Sequence, residues 1–370
     1  MKIGLVFDDS LDRNDGVQQY VRSLGRWLAT EGHEVHYLVG ETKQKSSTIH
    51  SLAKNITMRF NGNSFTMPLY APSSRIRVLL GREQYDILHV QMPYSPLMAG
   101  KVIANAPTSA AVVGTFHVLP LSKLQFDANF MLGKMQRLSL GRFDCICSVS
   151  PAAQAFASQA YGINTTVIPN MINLAAWKNS VGVHPRRIVF LGRLVPRKGC
   201  KELLLALGAL PIAERQNIKL VIAGKGPQRK QLEKLAHSFS LDVTFLGYIT
   251  EEDKVALLAS ADLAIFPSIG GESFGIVLLE AMAAGAGVVI GGDNPGYRSV
   301  LGNLPQSLVD FKDSKTAAKQ LARLLQDRKL RASLHLGQRQ LVKTYDIQTV
   351  GQQIIGMYQT ALLHRRQDVR

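Results

Sequence analysis

Short apolar runs alternate with helical patterns along most of the chain. Runs long enough for buried strands occupy residues 2–7, 34–39, 85–90, 110–115 and 145–149 of the first half. Apolar residues recur on one face of a predicted helix that begins near Gly16, and Ser150 is placed to cap another helix that begins at Pro151. Strands that alternate with helices in this way predict a parallel sheet with helices on both faces.

The same alternation restarts after residues 167–173, where Pro169 and Asn170 indicate a linker. Further strands are predicted at residues 188–191, 220–223, 243–246, 263–266 and 287–290. The sequence therefore predicts an α/β protein of two Rossmann-like domains, 1–168 and 169–345, with a central cleft. An amphipathic helix within residues 346–370 either caps the second domain or crosses back to pack on the first.

The chain is strongly basic. Its 370 residues carry a formal net charge of +16, which favours nucleic acid, anionic lipid surfaces or phosphorylated substrates as partners. There is no zinc-finger or RNA-recognition signature, so nucleic acid is not expected. The first apolar run ends at Asp8, too early for a signal peptide, and no uncharged stretch reaches the ~18 apolar residues that span a bilayer. The three cysteines suggest no disulfide framework, which fits a reducing cytoplasm.

The strongest local motif covers residues 270–285 and follows a predicted strand. It places Glu272 in a glycine-rich turn and Glu280 on the helix after that turn. Residues 273–276 would supply backbone N–H groups at the helix start, where anions and sugar hydroxyls bind well. We expect Glu272 to accept hydrogen bonds from sugar hydroxyls and Glu280 to bind both hydroxyls of a ribose.

Further candidate residues follow other predicted strands. Arg193 and Lys198 lie on one loop after a strand, and cations in that position suit a pyrophosphate. Gly16 lets a ligand approach the first helix start closely, and His117 ends a strand at the edge where ligands bind in such folds. The glycines after residue 223 lack the third glycine of a dinucleotide fingerprint, which argues against a nicotinamide-dependent dehydrogenase.

Together these motifs resemble glycosyltransferase family four, in the retaining GT-B class. The resemblance covers essentially the whole chain and is strongest to the phosphatidylinositol α-mannosyltransferases, through the motif at residues 270–285, the segment 15–18, residues 115–117 and residues 196–199. It implies transfer of mannose from GDP-mannose to phosphatidylinositol, or a similar inositol-containing lipid, on the cytoplasmic face of the cell membrane. The expected partners are a nucleotide sugar, that lipid and an anionic membrane surface.

The resemblance also implies a role for each matching residue. On the donor side, Arg193 and Lys198 would hold the diphosphate, Glu272 the transferred sugar and Glu280 the ribose. His117 would lie by the reacting centre. The remaining implied donor contacts are Gly16 at the phosphates, the helix-start residues Phe274, Gly275 and Ile276, and Tyr248 near the nucleobase by its backbone. The implied acceptor contacts are Gln18, Asn61, Lys123 and Arg197.

The resemblance implies front-face attack, in which the leaving diphosphate helps to take the acceptor proton. The usual Asp-x-Asp metal-binding pair is absent near the donor motif, so we predict that no metal or other cofactor is required, while assistance by Mg²⁺ stays open. Two basic, apolar segments, residues 75–82 and 121–142, are candidates for contact with an anionic membrane. For the second segment, an ordinary helix packed on its sheet is the competing interpretation.

Three other functions stay open. The first is an enzyme that uses a UDP-sugar with an inositol phosphate, diacylglycerol or polysaccharide acceptor. The second is a non-catalytic module that binds nucleotides or glycans, although the charged residues at 193, 198, 272 and 280 argue against it. The third is a nucleic-acid binder, which the net charge would suit although the usual signatures are absent. A sugar-nucleotide epimerase, which shares the double-Rossmann architecture, is a further enzyme alternative.

Overall fold

The computed structural model describes residues 1–12, 15–60, 63–93, 95–177 and 181–368. Its strands are β1 (Lys2–Phe7), β2 (Glu34–Val39), β3 (Ile49–Ser51), β4 (Lys54–Phe60), β5 (Asn63–Tyr70), β6 (Ile87–Val90), β7 (Ala111–Phe116), β8 (Cys145–Ser148), β9 (Thr166–Val167), β10 (His184–Leu191), β11 (Lys219–Ala223), β12 (Asp242–Gly247), β13 (Ala261–Phe266), β14 (Val288–Gly292) and β15 (Leu308–Val309). Its α-helices are α1 (Gly16–Thr30), α2 (Ser73–Glu83), α3 (Met98–Ala104), α4 (Lys123–Met135), α5 (Arg137–Leu140), α6 (Pro151–Tyr161), α7 (Cys200–Gly208), α8 (Ile212–Arg215), α9 (Arg229–Ser238), α10 (Glu251–Ala259), α11 (Ile276–Ala284), α12 (Pro295–Leu301), α13 (Ser314–Gln326), α14 (Arg328–Leu341) and α15 (Ile347–Asp368).

The chain divides into two compact units. The first consists of Met1–Met171 together with Ile347–Arg370, and the second is Ile172–Asp346. The final helix, α15, therefore groups with the first unit, where the Trp27 indole N–H donates to Gln348 Oε1 at 3.1 Å. Among the described residues, no helix is both long and apolar enough to span a membrane.

The first unit is built on a parallel sheet. Seven strands run in the order β3-β2-β1-β6-β7-β8-β9, and β4 and β5 form a separate antiparallel hairpin. Alternate residues of β1 point to opposite faces: Ile3 and Leu5 join the core formed with α1 and α15, whereas Val6 joins the core formed with α2 and α3. The sheet is thus covered on both faces, which explains why its strands are continuous apolar runs.

Local capping agrees with the sequence at the start of α6. The Ser150 hydroxyl accepts a hydrogen bond from the Ala153 N–H at 3.0 Å, and Pro151 occupies the first turn, where its missing N–H costs nothing. The predicted cap at Ser150 is therefore confirmed.

The second unit repeats the architecture with a parallel sheet in the order β12-β11-β10-β13-β14-β15. Apolar side chains of β10 and β11, including Ile188, Phe190 and Ile222, pack with α7, α9 and α13. The predicted α/β class with two parallel-sheet domains is confirmed. The β10 strand begins at His184, earlier than the predicted residue 188, because its exposed polar start still pairs with Ala261 of β13.

One buried carboxylate ties α15 to the sheet of the first unit. The Asp144 side chain is 2% exposed, contacts Arg365 of α15 and Arg142, and accepts a hydrogen bond from the Val112 N–H at 2.7 Å. Removal of this carboxylate would leave two partly buried cations without their counter-ion, a change that is strongly destabilising.

We predict that Asp144→Ala lowers the free energy of unfolding of the first unit by about 3 kcal/mol. The measurement is urea unfolding in a Trp177→Phe background, where Trp27, the other of the two tryptophans, reports the first unit. Asp127→Ala removes an exposed carboxylate of α4 and is the matched control. Equal midpoints for the two variants would contradict a stabilising role for Asp144 between α15 and the sheet.

Candidate functional site

The second unit gathers a carboxylate and two cations at the carboxyl ends of β10 and β13. Arg197 and Lys198 lie in a short 3-10 turn, Pro196–Lys198, after β10, and Glu272 lies on the loop after β13. Glu272 Oε1 is 2.8 Å from Arg197 Nη1, 2.8 Å from Lys198 Nζ and 2.9 Å from the Ser268 Oγ. A single carboxylate oxygen thus accepts from three donors.

This arrangement fixes the charge and the orientation of Glu272. Burial opposes its ionisation, but the neighbouring Lys198 and Arg197 cations outweigh burial and lower the pKa of the carboxyl. Within the described part of the chain, the other oxygen, Oε2, receives no hydrogen bond. The geometry therefore offers a charged, oriented acceptor for hydroxyl donors.

Glycine lets the two loops come this close. Gly199 has a φ of +72°, and a Cβ at this position would lie 1.9 Å from the Pro267 carbonyl oxygen. One further bond joins the loops, from the Ile269 N–H to the Arg197 carbonyl oxygen at 3.0 Å, and the Ser268 Oγ lies 2.9 Å from the same carbonyl oxygen. A side chain at residue 199 would not fit between the loops. Glycine at this position therefore allows the Pro-Arg-Lys-Gly segment to bring its two cations against the loop of Glu272.

The start of α11 provides free amides close to the same loop. Gly275 precedes the helix with a φ of +113°, and a Cβ there would lie 2.5 Å from the Tyr297 ring. Ile276 is the first residue of α11, so its amide is among the helix-start N–H groups that lack intrahelical partners. The Phe274 side chain is buried and lies edge-on to Tyr345, which leaves only its backbone for a ligand.

Glu280 has a partner that the sequence did not reveal. Its Oε1 is 2.8 Å from Lys254 Nζ on α10, which also contacts Glu251 at 2.6 Å and lies 5.1 Å from the Trp177 ring centre. Burial raises the pKa of Glu280, although Lys254 opposes this shift. A lysine separated by 26 positions gives no local signal, so only the fold brings this pair together.

The other predicted donor residues are spread over neighbouring loops. Arg193 follows β10, and Tyr248 follows β12 with 66% of its surface exposed. Lys225, on the loop after β11, lies 5.7 Å from the Tyr248 ring centre and was not singled out by the sequence. Arg197, predicted on the acceptor side, lies in the second unit against Glu272.

The first unit carries its own polar cluster at the carboxyl end of its sheet. His117 follows β7 and Gln91 follows β6, and His117 Nε2 lies 3.0 Å from Gln91 Oε1. Tyr20 of α1 lies edge-on to His117 at 5.0 Å between ring centres. Gln91 was missed by the sequence reasoning, although its position directly after a predicted strand was a usable signal.

Gln91 determines how His117 can act. An acceptor at Nε2 places the ring proton there and leaves a lone pair on Nδ1. Burial lowers the pKa of His117 to about 3, so the ring is neutral near pH 7. His117 is thus arranged to hydrogen-bond a ligand as a neutral ring. The buried Gln91 Nε2 has no hydrogen-bond partner in the described part of the chain. A water or a ligand hydroxyl that accepts from this amide would remove the free-energy cost of leaving it unpaired.

His89 has a structural role in the first unit. Its Nδ1 lies 2.7 Å from the Tyr358 hydroxyl of α15, and its Nε2 lies 2.7 Å from Thr115 Oγ1. Both ring nitrogens are therefore occupied within the core of the first unit. Burial lowers the pKa of His89 to about 3 as well.

The predicted acceptor residues are not all brought together. Gln18 is buried on α1 and donates through Nε2 to Asp9 Oδ2 at 3.1 Å. Lys123 is the exposed first residue of α4, and Gly16, which was predicted at the donor phosphates, is the exposed first residue of α1. Asn61 lies outside the described residues. Gln18 lies on the same helix, α1, as Tyr20, and Tyr20 contacts His117.

Comparison with known proteins gives the family. Residues 14–176 match the family model described as Glycosyltransferase Family 4, and residues 174–340 match Glycosyl transferases group 1. A protein of Mycolicibacterium smegmatis named phosphatidyl-myo-inositol mannosyltransferase is 31% identical over 97% of this chain and 94% of its own length. A protein of the same name from Propionibacterium freudenreichii is 33% identical over 98% of this chain and 95% of its own length.

Solved structures share the fold at lower identity. HepE of Anabaena, solved with UDP and glucose, has a TM-score of 0.77 and is 19% identical. The match covers 97% of this chain and 100% of the HepE chain. Sucrose-phosphate synthase of Thermosynechococcus elongatus has a TM-score of 0.73 and 21% identity over 97% of this chain and 98% of its own. Two parallel-sheet domains with this likeness define the class of GT-B glycosyltransferases. The chain belongs to glycosyltransferase family four, and the predicted enzyme class, a glycosyltransferase, is confirmed.

We predict that the first unit loses stability as the pH falls below the unfolded-state histidine pKa of 6.5. His89 and His117 have folded-state pKa values of about 3, so between these limits the unfolded chain binds more protons, and each histidine costs up to about 1.4 kcal/mol per pH unit. The measurement is urea unfolding from pH 7 to pH 4 in the Trp177→Phe background, in which Trp27 reports the first unit. His117→Asn should show a shallower pH dependence, whereas the exposed-site control His237→Ala should match the parent chain. A slope unchanged by His117→Asn would show that His117 is not buried in its neutral form.

Proposed function

We propose that the chain is a retaining α-mannosyltransferase that moves mannose from GDP-mannose to the inositol ring of phosphatidylinositol or a similar lipid. The observation that carries a sugar-transfer site is the Glu272 cluster, in which Arg197, Lys198 and Ser268 orient one carboxylate. The names of relatives that are 31% and 33% identical over nearly the full chain support the choice of mannose and of an inositol lipid.

In the proposed donor complex, the cations neutralise the leaving group. Arg193 and Lys198 bind the diphosphate, and the amides of Gly275 and Ile276 add fixed partial charges at the helix start. Glu272 Oε2 accepts from hydroxyls of the mannose, and Glu280 accepts from the ribose. Lys198 shifts from its ion pair with Glu272 toward the diphosphate, so donor binding reorganises this cluster.

Attack occurs from the face that the diphosphate leaves, which gives retention. The departing diphosphate oxygen takes the proton of the attacking inositol hydroxyl, so no protein base is required at that step. A neutral His117 suits this mechanism, because it supplies a hydrogen bond beside the reacting centre without gaining or losing a proton. Gln18 and Lys123 contact the acceptor, and Asn61 is assigned to the same role from the resemblance alone.

The lipid acceptor requires contact with a membrane, and we assign this to the α4 surface, defined by its exposed apolar residues. These are Leu121, Leu124, Phe130, Met131, Met135 and Leu138. Of the helix α4 itself only Gly133 is buried, which argues against an ordinary helix packed on its sheet. The exposed cations Lys123, Lys134 and Arg137 lie on the same segment and favour an anionic bilayer at the cytoplasmic face of the cell membrane.

The other basic segment is less suited to this role. Residues 75–82 lie within α2, and the apolar side chains Ile76, Leu79 and Leu80 are buried in the core of the first unit. Of the apolar residues in this stretch, Val78 is exposed. The cations of residues 75–82 can still attract an anionic surface, but the apolar face of α2 is packed in the core and is not available to insert into a bilayer.

We predict that Glu272→Gln reduces mannose transfer at least about 100-fold, because a transition-state interaction is lost while the shape of the side chain is kept. The assay follows GDP-mannose turnover on vesicles with and without phosphatidylinositol, with UDP-glucose in parallel and a chelator added to reveal any contribution of Mg²⁺. Glu233→Gln alters an exposed carboxylate of α9 and is the matched control. Turnover of UDP-glucose alone, or transfer independent of the inositol lipid, would contradict the mannosyl-lipid proposal.

We predict that Leu124→Glu combined with Met131→Glu weakens binding to anionic vesicles at least about tenfold, because two apolar contacts are replaced by charges that the surface repels. The measurement is vesicle flotation with and without anionic lipid. Ile212→Glu combined with Leu336→Glu introduces the same charge at exposed apolar positions of the second unit. Equal flotation of the α4 variant and this control would remove the α4 surface from the proposal.

A further inference from the structure

A second polar cluster lies in the first unit and shares no residue with the sites above. His36 of β2, His50 of β3 and Glu83 at the end of α2 each turn one ligand-type atom toward the others, all within 4.8 Å. His36 Nδ1 is 3.1 Å from His50 Nε2 and 3.8 Å from Glu83 Oε2. Two imidazoles and a carboxylate are a donor set that Zn²⁺ takes in proteins, with ligand bonds of about 2.0–2.2 Å.

The fold makes this arrangement from distant parts of the chain. Strands β2 and β3 are parallel neighbours, and His50 is the register partner of Leu38, two positions after His36 on the same face. Glu83 is the last residue of α2, which packs on that face of the sheet. The three ligand atoms are therefore held by elements that the core already fixes.

The other ring nitrogen of His36, Nε2, contacts a second carboxylate. His36 Nε2 lies 3.2 Å from Glu34 Oε1, which keeps the ring proton on Nε2 and leaves the Nδ1 lone pair facing the cluster. A carboxylate behind a metal-binding histidine is the usual outer contact that fixes its tautomer.

Two cations contact the Glu83 carboxylate: Arg82 Nη2 lies 2.6 Å from Oε1, and Lys2 competes for Oε2, the oxygen of the cluster. Lys2 Nζ is 2.7 Å from Glu83 Oε2 and 2.9 Å from Glu34 Oε1. A metal ion at the cluster would displace Lys2 from Glu83, and Lys2 would keep its ion pair with Glu34. The Tyr85 hydroxyl, 2.9 Å from His36 Nδ1, would have to release the same nitrogen.

We propose that His36, His50 and Glu83 form a binding site for one Zn²⁺ ion, with water as the fourth ligand. The ion would join the edge strand β3 to β2 and α2, so it would act on the stability of the first unit. The proposal stands on the geometry of this cluster and does not depend on the proposed mannosyltransferase activity.

The test is Zn²⁺ titration of the metal-free full-length chain by calorimetry, with Co²⁺ absorption to report the ligand geometry. We expect one equivalent to bind in the parent chain and His50→Ala to weaken binding by at least about tenfold. His50→Gln keeps a hydrogen-bonding side chain beside His36 without an imidazole, so it should fold and still fail to bind. His237→Ala removes an exposed histidine of α9 and should bind as the parent chain does.

Lys2 supplies an independent readout. Lys2→Met removes the competing ammonium, so it should tighten Zn²⁺ binding, whereas a surface site elsewhere would not respond. Zn²⁺ at saturation should also raise the midpoint of unfolding reported by Trp27, and this gain should vanish in His50→Gln. Equal Zn²⁺ affinity in the parent chain and both His50 variants would overturn the proposal.

Discussion

The candidate donor site depends on the close approach of two loops at Gly199. A Cβ at this position would overlap the Pro267 carbonyl, so the loop after β10 reaches the loop after β13 only with glycine there. That approach brings Arg197 and Lys198 within 2.8 Å of Glu272 Oε1. The orientation and the low pKa of the carboxyl both follow from this backbone contact. The need for glycine at residue 199 thus determines the charge state of Glu272.

Near the carboxyl ends of their sheets, the two units stabilise buried polar groups in different ways. In the first, His89 and His117 are kept neutral and are hydrogen-bonded to Tyr358, Thr115 and Gln91. In the second, the partly buried carboxylate of Glu272 and the buried carboxylate of Glu280 lie next to lysines and an arginine. Neutral groups suit a unit that would hold uncharged hydroxyls, and fixed cations suit a unit that would hold a diphosphate.

Contiguous motifs made much of the fold predictable from the sequence. The alternating strands, the cap at Ser150 and the proximity of the motif around Glu272 to a strand end follow from local patterns. The pairs Lys254–Glu280, Gln91–His117 and His36–His50 could not be predicted, because each joins residues from separate elements and sheet order decides which elements meet. The early start of β10 was missed because its first residues are polar and exposed, so apolar periodicity carries no signal there.

The return of α15 to the first unit has a consequence for synthesis on the ribosome. The second unit, Ile172–Asp346, is continuous in the chain, so its sheet can close while later residues are still being added. The first unit begins earlier and finishes later, because Tyr358 and Arg365 complete its interior only after every residue of the second unit has emerged. Until then, part of the apolar surface around Trp27 stays uncovered, so the nascent first half is the segment that chaperones would have most reason to bind.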